Sequence, residues 1–183
     1  TKTVDEKFPQ EEVRNLGYDH MVFRGQKSYN GVAILSKHPI ESTFSFDFCN
    51  DDKRHISATI KGIEVHNFYV PAGGNEPDPQ TNPKFMHKLD YVKCMQEWFC
   101  ANRTIDDKIV LVGDLNIAPL ENDVWSSYQL RNTVSHTSVE RELLIEFRES
   151  AEFIDTARHY TSEREKSFSW WSYRNRDWKK SNR

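Results

Sequence analysis

The sequence IVLVGDLN, residues 109–116, places a carboxylate and an amide directly after an apolar run. Four apolar residues that end in a turn signal predict a strand buried on both faces of a sheet. Side chains two positions apart on a strand point to the same face, so Asp114 and Asn116 are expected to share a direction. Ligands of open α/β sheets bind at the carboxyl ends of such strands. The sequence therefore predicts an α/β fold with a functional site at this strand end.

Asp114 and Asn116 are residue types suited to the hydrolysis of a phosphodiester. A carboxylate aligns or deprotonates water, and an amide donates a hydrogen bond to a phosphate without adding negative charge beside it. Asp and Asn are also common in ordinary turns, so the residues GDLN alone are equally consistent with a simple strand-to-loop turn.

Further strands are predicted upstream of this stretch. Residues 31–35, GVAIL, follow a polar loop and predict a buried strand. Residues 56–61 alternate between apolar and polar side chains, and IEVHNFYV at 63–70 resumes that period of two after a Lys61-Gly62 turn. This pattern predicts a β-hairpin.

Two helices are predicted by their capping residues. Asn82 is a good N-cap and Pro83 suits the first helical position. The apolar side chains that follow at helical spacing are Phe85, Met86, Leu89, Val92, Met95 and Phe99. This spacing predicts a helix of about five turns. Thr137 and Glu140 form a capping box that predicts a second helix through VERELLIEFRES, and the residues rich in Gly and Pro at 71–83 predict a structured loop.

The composition suits a single domain over residues 1–183, because a chain of this length with 37% hydrophobic side chains can form a real core. A net charge of −3 excludes a general polycation, so any contact with nucleic acid requires a local basic patch. No apolar run approaches the roughly 18 residues of a membrane helix, so no association with a membrane is expected.

Residues 164–183 provide a candidate for such a basic patch. Arginines and lysines alternate there with aromatic side chains, against only Glu165 and Asp177. Basic charge beside aromatic faces binds phosphates and unstacked bases. A solvated charged segment beside core tryptophans is the alternative interpretation.

Four stretches, in this order, carry a resemblance to a known family. They are GQKSYNGVAILSK at 25–37, HNFYVPAGG at 66–74, GDLNIAP at 113–119 and SFSWWSYR at 167–174. Together they resemble the exonuclease III family of abasic-site endonucleases, a branch of the endonuclease/exonuclease/phosphatase superfamily. The resemblance implies an α/β fold, a four-layer sandwich of two mixed β-sheets flanked by helices, here incomplete at both ends.

The resemblance also implies roles for five residues. Asp114 matches the aspartate that aligns or activates the attacking water, and Asn116 matches the amide that contacts the scissile phosphate. Tyr69 matches a tyrosine whose hydroxyl reaches the phosphate; packing of a strand aromatic on the sheet is its alternative role. Tyr29 matches a position in a DNA-contacting loop, and simple loop packing is its alternative. Trp170 matches the aromatic that lines the pocket for a flipped-out abasic sugar.

The sequence departs from the family pattern at both ends. The glutamate that binds magnesium in the family lies on a segment that precedes the position of Thr1, and the late aspartate and the catalytic histidine of the family follow the last residue, Arg183. We therefore expect a fragment of a longer chain, inactive by itself, and assign no metal ligand and no histidine of this sequence to the site. Mg²⁺ is the implied cofactor, with Mn²⁺ as an alternative.

The function implied by the resemblance is that of a Mg-dependent DNA-repair phosphodiesterase. It would cut double-stranded DNA 5′ to abasic sites and, as a second activity, remove nucleotides from 3′ ends. A monomer working in the cytoplasm of a bacterial-type cell is expected. Two alternatives remain open: another phosphoesterase of the same superfamily, and a DNA-binding module without catalysis.

Overall fold

The computed structural model describes residues 1–162 and 164–171. The described residues divide into two compact units, one formed by residues 1–70 and 105–115 and the other by residues 71–104 and the described residues from 116 to 171. The expectation of a single domain over residues 1–183 stays a prediction. The α/β class is confirmed, since strands and helices are both present and one sheet contains parallel and antiparallel pairs.

The first unit contains the six described strands and one short α-helix. The strands are β1 (His20–Arg24), β2 (Val32–Ser36), β3 (Ser42–Phe44), β4 (His55–Ile60), β5 (Ile63–Tyr69) and β6 (Ile109–Asp114), and the helix is α1 (Gln10–Asn15). Strands β1 and β2 form an antiparallel pair, and a second sheet has the order β3-β4-β5-β6. Strands β4 and β5 form the predicted hairpin, and β6 lies parallel to β5.

The two sheets of the first unit pack face to face. Their apolar cluster is centred on Val32 and Ile34 from β2 and on Ile56 and Ala58 from β4. Alternate side chains of β5, including Val65 and Tyr69, pack against this cluster. The period of two that predicted these strands therefore places one face of each strand in a shared core.

Burial of β6 on both faces was the wrong expectation. Val110 and Val112 remain 46% and 43% exposed, although both belong to the apolar run that predicted a buried strand. The physical reason is position, because β6 lies at one end of the order of described strands and the facing strands β1 and β2 pack against β4 and β5. Composition alone does not distinguish an edge strand from a central one.

The second unit is helical among the described residues. Its helices are α2 (Pro83–Asn102), α3 (Ser127–Leu130), α4 (Ser138–Ser150) and α5 (Thr156–Tyr160). The Asn82 side chain accepts a hydrogen bond of 3.0 Å from the Lys84 amide, as its assignment as N-cap predicted. Thr137 and Glu140 form the predicted capping box at the start of α4. Within the described ranges, no helix combines the length and apolar character that a bilayer crossing requires.

Candidate active site

Tyr69 and Asp114 are neighbours in the parallel register of β5 and β6. Both residues end their strands, and the Val70 amide donates a hydrogen bond of 2.9 Å to the Asp114 carbonyl oxygen. Residues opposite each other in register project to the same face of a sheet. The strand pair therefore presents a phenol and a carboxylate side by side at its carboxyl end.

Gly113 is required by the close approach of β5 to β6. Its φ of 124° lies in a region that L side chains rarely adopt, and a Cβ atom there would lie 2.0 Å from the Phe68 carbonyl oxygen. Any side chain would force the strands apart just before Asp114. The glycine of GDLN thus positions the carboxylate by allowing the strands to pair.

A cavity of about 490 Å³ lies at this strand end, within the first unit. Tyr29, Tyr69 and Asp114 all line it, so three of the five predicted site residues share one cavity. Tyr29 is 67% exposed, and its role as a DNA-contacting residue stays a prediction. Lys2 also lines the cavity and adds a positive charge suited to a phosphate.

Arg54 holds Tyr69 in place. Its guanidinium lies over the Tyr69 ring, 5.3 Å from the centroid, and its Nη1 donates a hydrogen bond of 3.2 Å to the Tyr69 carbonyl oxygen. The Tyr69 amide in turn donates to the Arg54 carbonyl oxygen at 2.8 Å. Asp52 accepts a hydrogen bond of 2.9 Å from Arg54 Nε and fixes the arginine. A stacked guanidinium and reciprocal main-chain bonds leave the tyrosine ring little freedom.

Asn67 joins the two sheets behind the cavity. Its side chain lies among the cavity lining, and its Nδ2 donates a hydrogen bond of 2.9 Å to the Ala33 carbonyl oxygen of β2. A polar side chain on the inner face of β5 is thereby satisfied. This hydrogen bond between β5 and β2 links the two sheets next to Tyr69.

Asn116 belongs to the second unit and does not continue strand β6. Asp114 and Asn116 therefore do not alternate along one strand, contrary to the prediction, because β6 ends at Asp114 and Asn116 has a φ of 51°. Asn tolerates this left-handed conformation better than most residues. The Asn116 carbonyl oxygen accepts a hydrogen bond of 2.7 Å from the buried Lys88 Nζ.

Trp170 is half-buried in the second unit. The Ser169 amide donates a hydrogen bond of 3.0 Å to the Asp123 carbonyl oxygen, and the Trp170 amide approaches the same oxygen at 3.4 Å. Arg158 binds the Asp123 carboxylate and donates to the Ser167 carbonyl oxygen at 3.3 Å. The segment that carries Trp170 is therefore fixed by its main chain. The rest of the predicted basic and aromatic patch, residues 172–183, lies outside the described residues.

A buried histidine pair lies on the face of β5 opposite Tyr69. The Phe46 amide donates to His55 Nδ1 at 3.1 Å, so the His55 proton is on Nε2, which lies 3.0 Å from His66 Nδ1. His66 Nε2 then faces the Glu64 carboxylate at 2.9 Å. Burial, and next the neighbouring His66 and Arg24, lower the pKa of His55 to about 3. Both rings are 0% exposed and belong to the core of the first unit.

The described residues do not form a metal-binding set. Among residues 1–162 and 164–171, no three His, Cys, Asp or Glu side chains are grouped so that they could hold a metal ion. Mg²⁺ requires octahedral oxygen ligands, and the cavity lining includes the carboxylate of Asp114.

The sequence interpretation missed Arg54, Asn67, Arg158 and Lys88. Only Lys88 carried a usable signal, because a lysine three residues after Phe85 and four before Val92 interrupts the apolar face of α2. A charged residue at such a position predicts a buried ionic partner. The other three residues occur in polar or alternating stretches where nothing local reveals their partners.

Comparison with known proteins identifies a family and several similar proteins. Residues 2–182 match the family described as "Endonuclease/Exonuclease/phosphatase family". The chain is 29% identical to an exodeoxyribonuclease of Bacillus subtilis, a match that covers 81% of this chain and 58% of the relative. It is 32% identical to exodeoxyribonuclease III of Haemophilus influenzae, over 67% of this chain and 47% of the relative.

A solved structure resembles the chain more completely. The structure of an AP endonuclease from Archaeoglobus fulgidus is 31% identical and superimposes with a TM-score of 0.83, covering 97% of this chain and 67% of that chain. The chain spans about half the length of the two bacterial relatives. Because the family match covers residues 2–182, nearly the whole chain, the chain belongs to the endonuclease/exonuclease/phosphatase family.

Proposed function

We propose that this chain is the site-bearing part of a DNA-repair phosphodiesterase that cuts double-stranded DNA 5′ to abasic sites and removes nucleotides from 3′ ends. The observation that carries the proposal is the shared cavity of Tyr29, Tyr69 and Asp114 at the carboxyl end of β5 and β6. Two relatives named as exodeoxyribonucleases and a solved AP endonuclease structure support this substrate class.

Each proposed role follows from the chemistry of the side chain. The Asp114 carboxylate accepts a proton from the attacking water or holds that water in line with the phosphorus. The Tyr69 hydroxyl donates a hydrogen bond to a non-bridging phosphate oxygen, whose charge grows in the transition state. This role of Tyr69 is supported by the contacts of Arg54, which hold the tyrosine ring in place before a substrate binds. Asn116 as a phosphate contact and Trp170 as a wall of the sugar pocket rest on their motif matches alone.

The proposal includes a divalent cation, Mg²⁺ or Mn²⁺, on the strength of the resemblance, and action as a monomer in the cytoplasm. Cleavage that requires the cation would be lost in EDTA and restored by Mg²⁺. The described residues provide no complete set of ligands for a cation. We therefore propose the cation requirement for the full-length protein.

A nicking assay tests the proposal. The full-length protein is incubated with a duplex that contains one synthetic abasic site, with Mg²⁺ or with EDTA, and a second duplex without the abasic site but with a recessed 3′ end reports exonuclease activity. We expect Mg-dependent incision on the 5′ side of the abasic site. Incision only at the 3′ end would replace the endonuclease assignment by an exonuclease.

A DNA-binding module without catalysis predicts a different result. Such a module would bind both duplexes in EDTA and cleave neither of them with Mg²⁺. Cleavage of a small phosphate ester without cleavage of either duplex would instead identify another phosphoesterase of the family.

A further inference from the structure

Lys88 and Glu140 form an ion pair in the interior of the second unit. Both side chains are 0% exposed, and Lys88 Nζ lies 2.5 Å from Glu140 Oε1. Burial of two charges is costly unless further hydrogen bonds satisfy them. An ion pair in this position is therefore stable only where other groups satisfy both charges.

The lysine end of the pair binds main-chain and hydroxyl oxygens. Lys88 Nζ donates to the Asn116 carbonyl oxygen at 2.7 Å, to Ser135 Oγ at 3.3 Å and to the Ala72 carbonyl oxygen at 3.4 Å. The contact with Asn116 is the shortest of these three. It fixes the main chain of a residue that adopts a left-handed conformation.

The glutamate end is fixed by the start of α4. Glu140 accepts hydrogen bonds from the Ser135 amide at 2.9 Å, from Thr137 Oγ1 at 2.6 Å and from the Thr137 amide at 3.2 Å. Thr137 and Glu140 are also the two members of the capping box. The carboxylate thus has four buried donors in all, including Lys88, and cannot move without breaking the helix cap.

The loop after Asn116 is held along its main chain. The Ala118 amide donates to the Ser135 carbonyl oxygen at 2.9 Å, and the Ala118 carbonyl oxygen lies 2.9 Å from His136 Nδ1. Arg141 Nε donates to the Pro119 carbonyl oxygen at 2.8 Å. With Lys88 on Asn116, contacts from α2, from α4 and from residues 135 and 136 fix residues 116–119.

From these contacts we infer that the Lys88–Glu140 pair is a positioning device for Asn116. It holds the Asn116 main chain so that the amide side chain projects from a fixed point, and it acts through Asn116 and not on the substrate. This inference rests on the proposed function for its catalytic consequence, since Asn116 contributes to turnover only if the chain cleaves a phosphodiester.

The test uses the full-length double variant Lys88→Met with Glu140→Gln. Removal of one charge would leave the other unpaired in the interior, whereas the double variant removes both and leaves a Gln oxygen for the Ser135 and Thr137 donors. The matched control is Lys93→Met, which makes the same lysine change on an exposed position of α2. Thermal melting establishes that each variant is folded before rates are compared.

The expected result is a loss of turnover with little loss of substrate binding. We expect kcat for incision to fall roughly 100-fold, the scale of a misplaced catalytic contact, with KM nearly unchanged and Lys93→Met at the wild-type rate. In an Asn116→Ala background the double variant should cause no more than about a threefold further loss, because the two changes remove one function. A full loss in that background would overturn the inference, since the pair would then act independently of Asn116.

Amide hydrogen exchange separates this inference from the proposed function. In the double variant, exchange of a peptide that covers residues 115–119 should accelerate by about tenfold or more while a peptide from β5 is unchanged. If the wild-type protein nicks no DNA, the proposed function fails, and accelerated exchange still establishes the positioning of the Asn116 loop. Unchanged exchange at residues 115–119 overturns the positioning role, whatever the activity.

Discussion

Tyr69 and Asp114 lie opposite each other on the last rung of the parallel pair β5 and β6, and both line one cavity. Arg54 contacts the Tyr69 ring and main chain, and Gly113 allows β6 to approach β5 just before Asp114. Neighbouring residues couple in their effects, so each single substitution measures one residue in the presence of the other.

Replacement of Asp114 by Asn should abolish most of the cleavage and leave duplex binding largely intact. The amide keeps the shape of the carboxylate but cannot accept the proton of water, so we expect incision to slow by roughly 10²–10⁴-fold. Incision rate and duplex affinity of the full-length protein measure the two effects. Asp106→Asn makes the same change at an exposed residue of the same unit and should be silent. Equal losses of rate and affinity in Asp114→Asn would make this residue structural.

Replacement of Tyr69 by Phe should lower turnover and preserve the fold. The ring remains under Arg54, and only the hydroxyl is lost. We expect kcat to fall about 100-fold, the scale of one lost donor to transition-state charge. Tyr128→Phe is the control, since Tyr128 is 75% exposed on α3. A wild-type kcat in Tyr69→Phe would mean that Tyr69 only packs on the sheet and does not contact the phosphate.

Replacement of Gly113 by Ala should destabilise the protein by at least about 2 kcal/mol, because a methyl group would meet the Phe68 carbonyl oxygen at 2.0 Å. Gly17→Ala is a matched control, since Gly17 also has a positive φ but a methyl group there would meet nothing within 4 Å. It should cost only about 1 kcal/mol of conformational strain. Urea unfolding measures the loss of stability in both variants. Equal losses would mean that β5 and β6 can accommodate a methyl group at Gly113.

Stability should fall as the pH drops below the ordinary pKa of histidine. His55 has a pKa of about 3 in the folded protein, so the unfolded chain binds its proton first. Its contribution is fully present above pH 6.5 and is lost as the pH falls from there toward 3, by about 1.4 kcal/mol per pH unit. Urea unfolding between pH 5 and pH 7 tests this slope. The slope should be shallower in His55→Gln, and an unchanged slope would assign the effect to other groups.

Replacement of Trp170 by Ala should reduce incision at abasic sites more than non-specific duplex binding. Loss of one aromatic face from the proposed sugar pocket should lower kcat/KM about tenfold. Removal of nucleotides from an undamaged 3′ end by the same variant is the internal comparison. An unchanged rate at the abasic site would remove Trp170 from the pocket.

Local signals predicted the helices and the hairpin. Asn82 and Thr137 are the N-caps of α2 and α4, as predicted, and the Lys61-Gly62 turn sets the register of β4 and β5. Such elements depend on residues within one or two turns of chain, so a single sequence is enough to predict them.

The predictions that failed or were missing depend on contacts distant in sequence. Exposure of Val110 depends on which strands cover β6, and the end of β6 at Asp114 removes Asn116 from its alternation. Arg54 reaches Tyr69 across the hairpin, and Lys88 meets Glu140 across two helices. Pairings of this kind are set by tertiary structure, which composition and periodicity do not encode.

Gly113 also bears on how the motif would evolve. Its requirement comes from strand geometry, whereas the requirement for Asp114 comes from reaction chemistry. In a descendant that had lost catalysis, selection for folding would still retain the glycine while the aspartate drifted. Gly113 of GDLN therefore indicates an intact sheet, whereas Asp114 indicates catalysis.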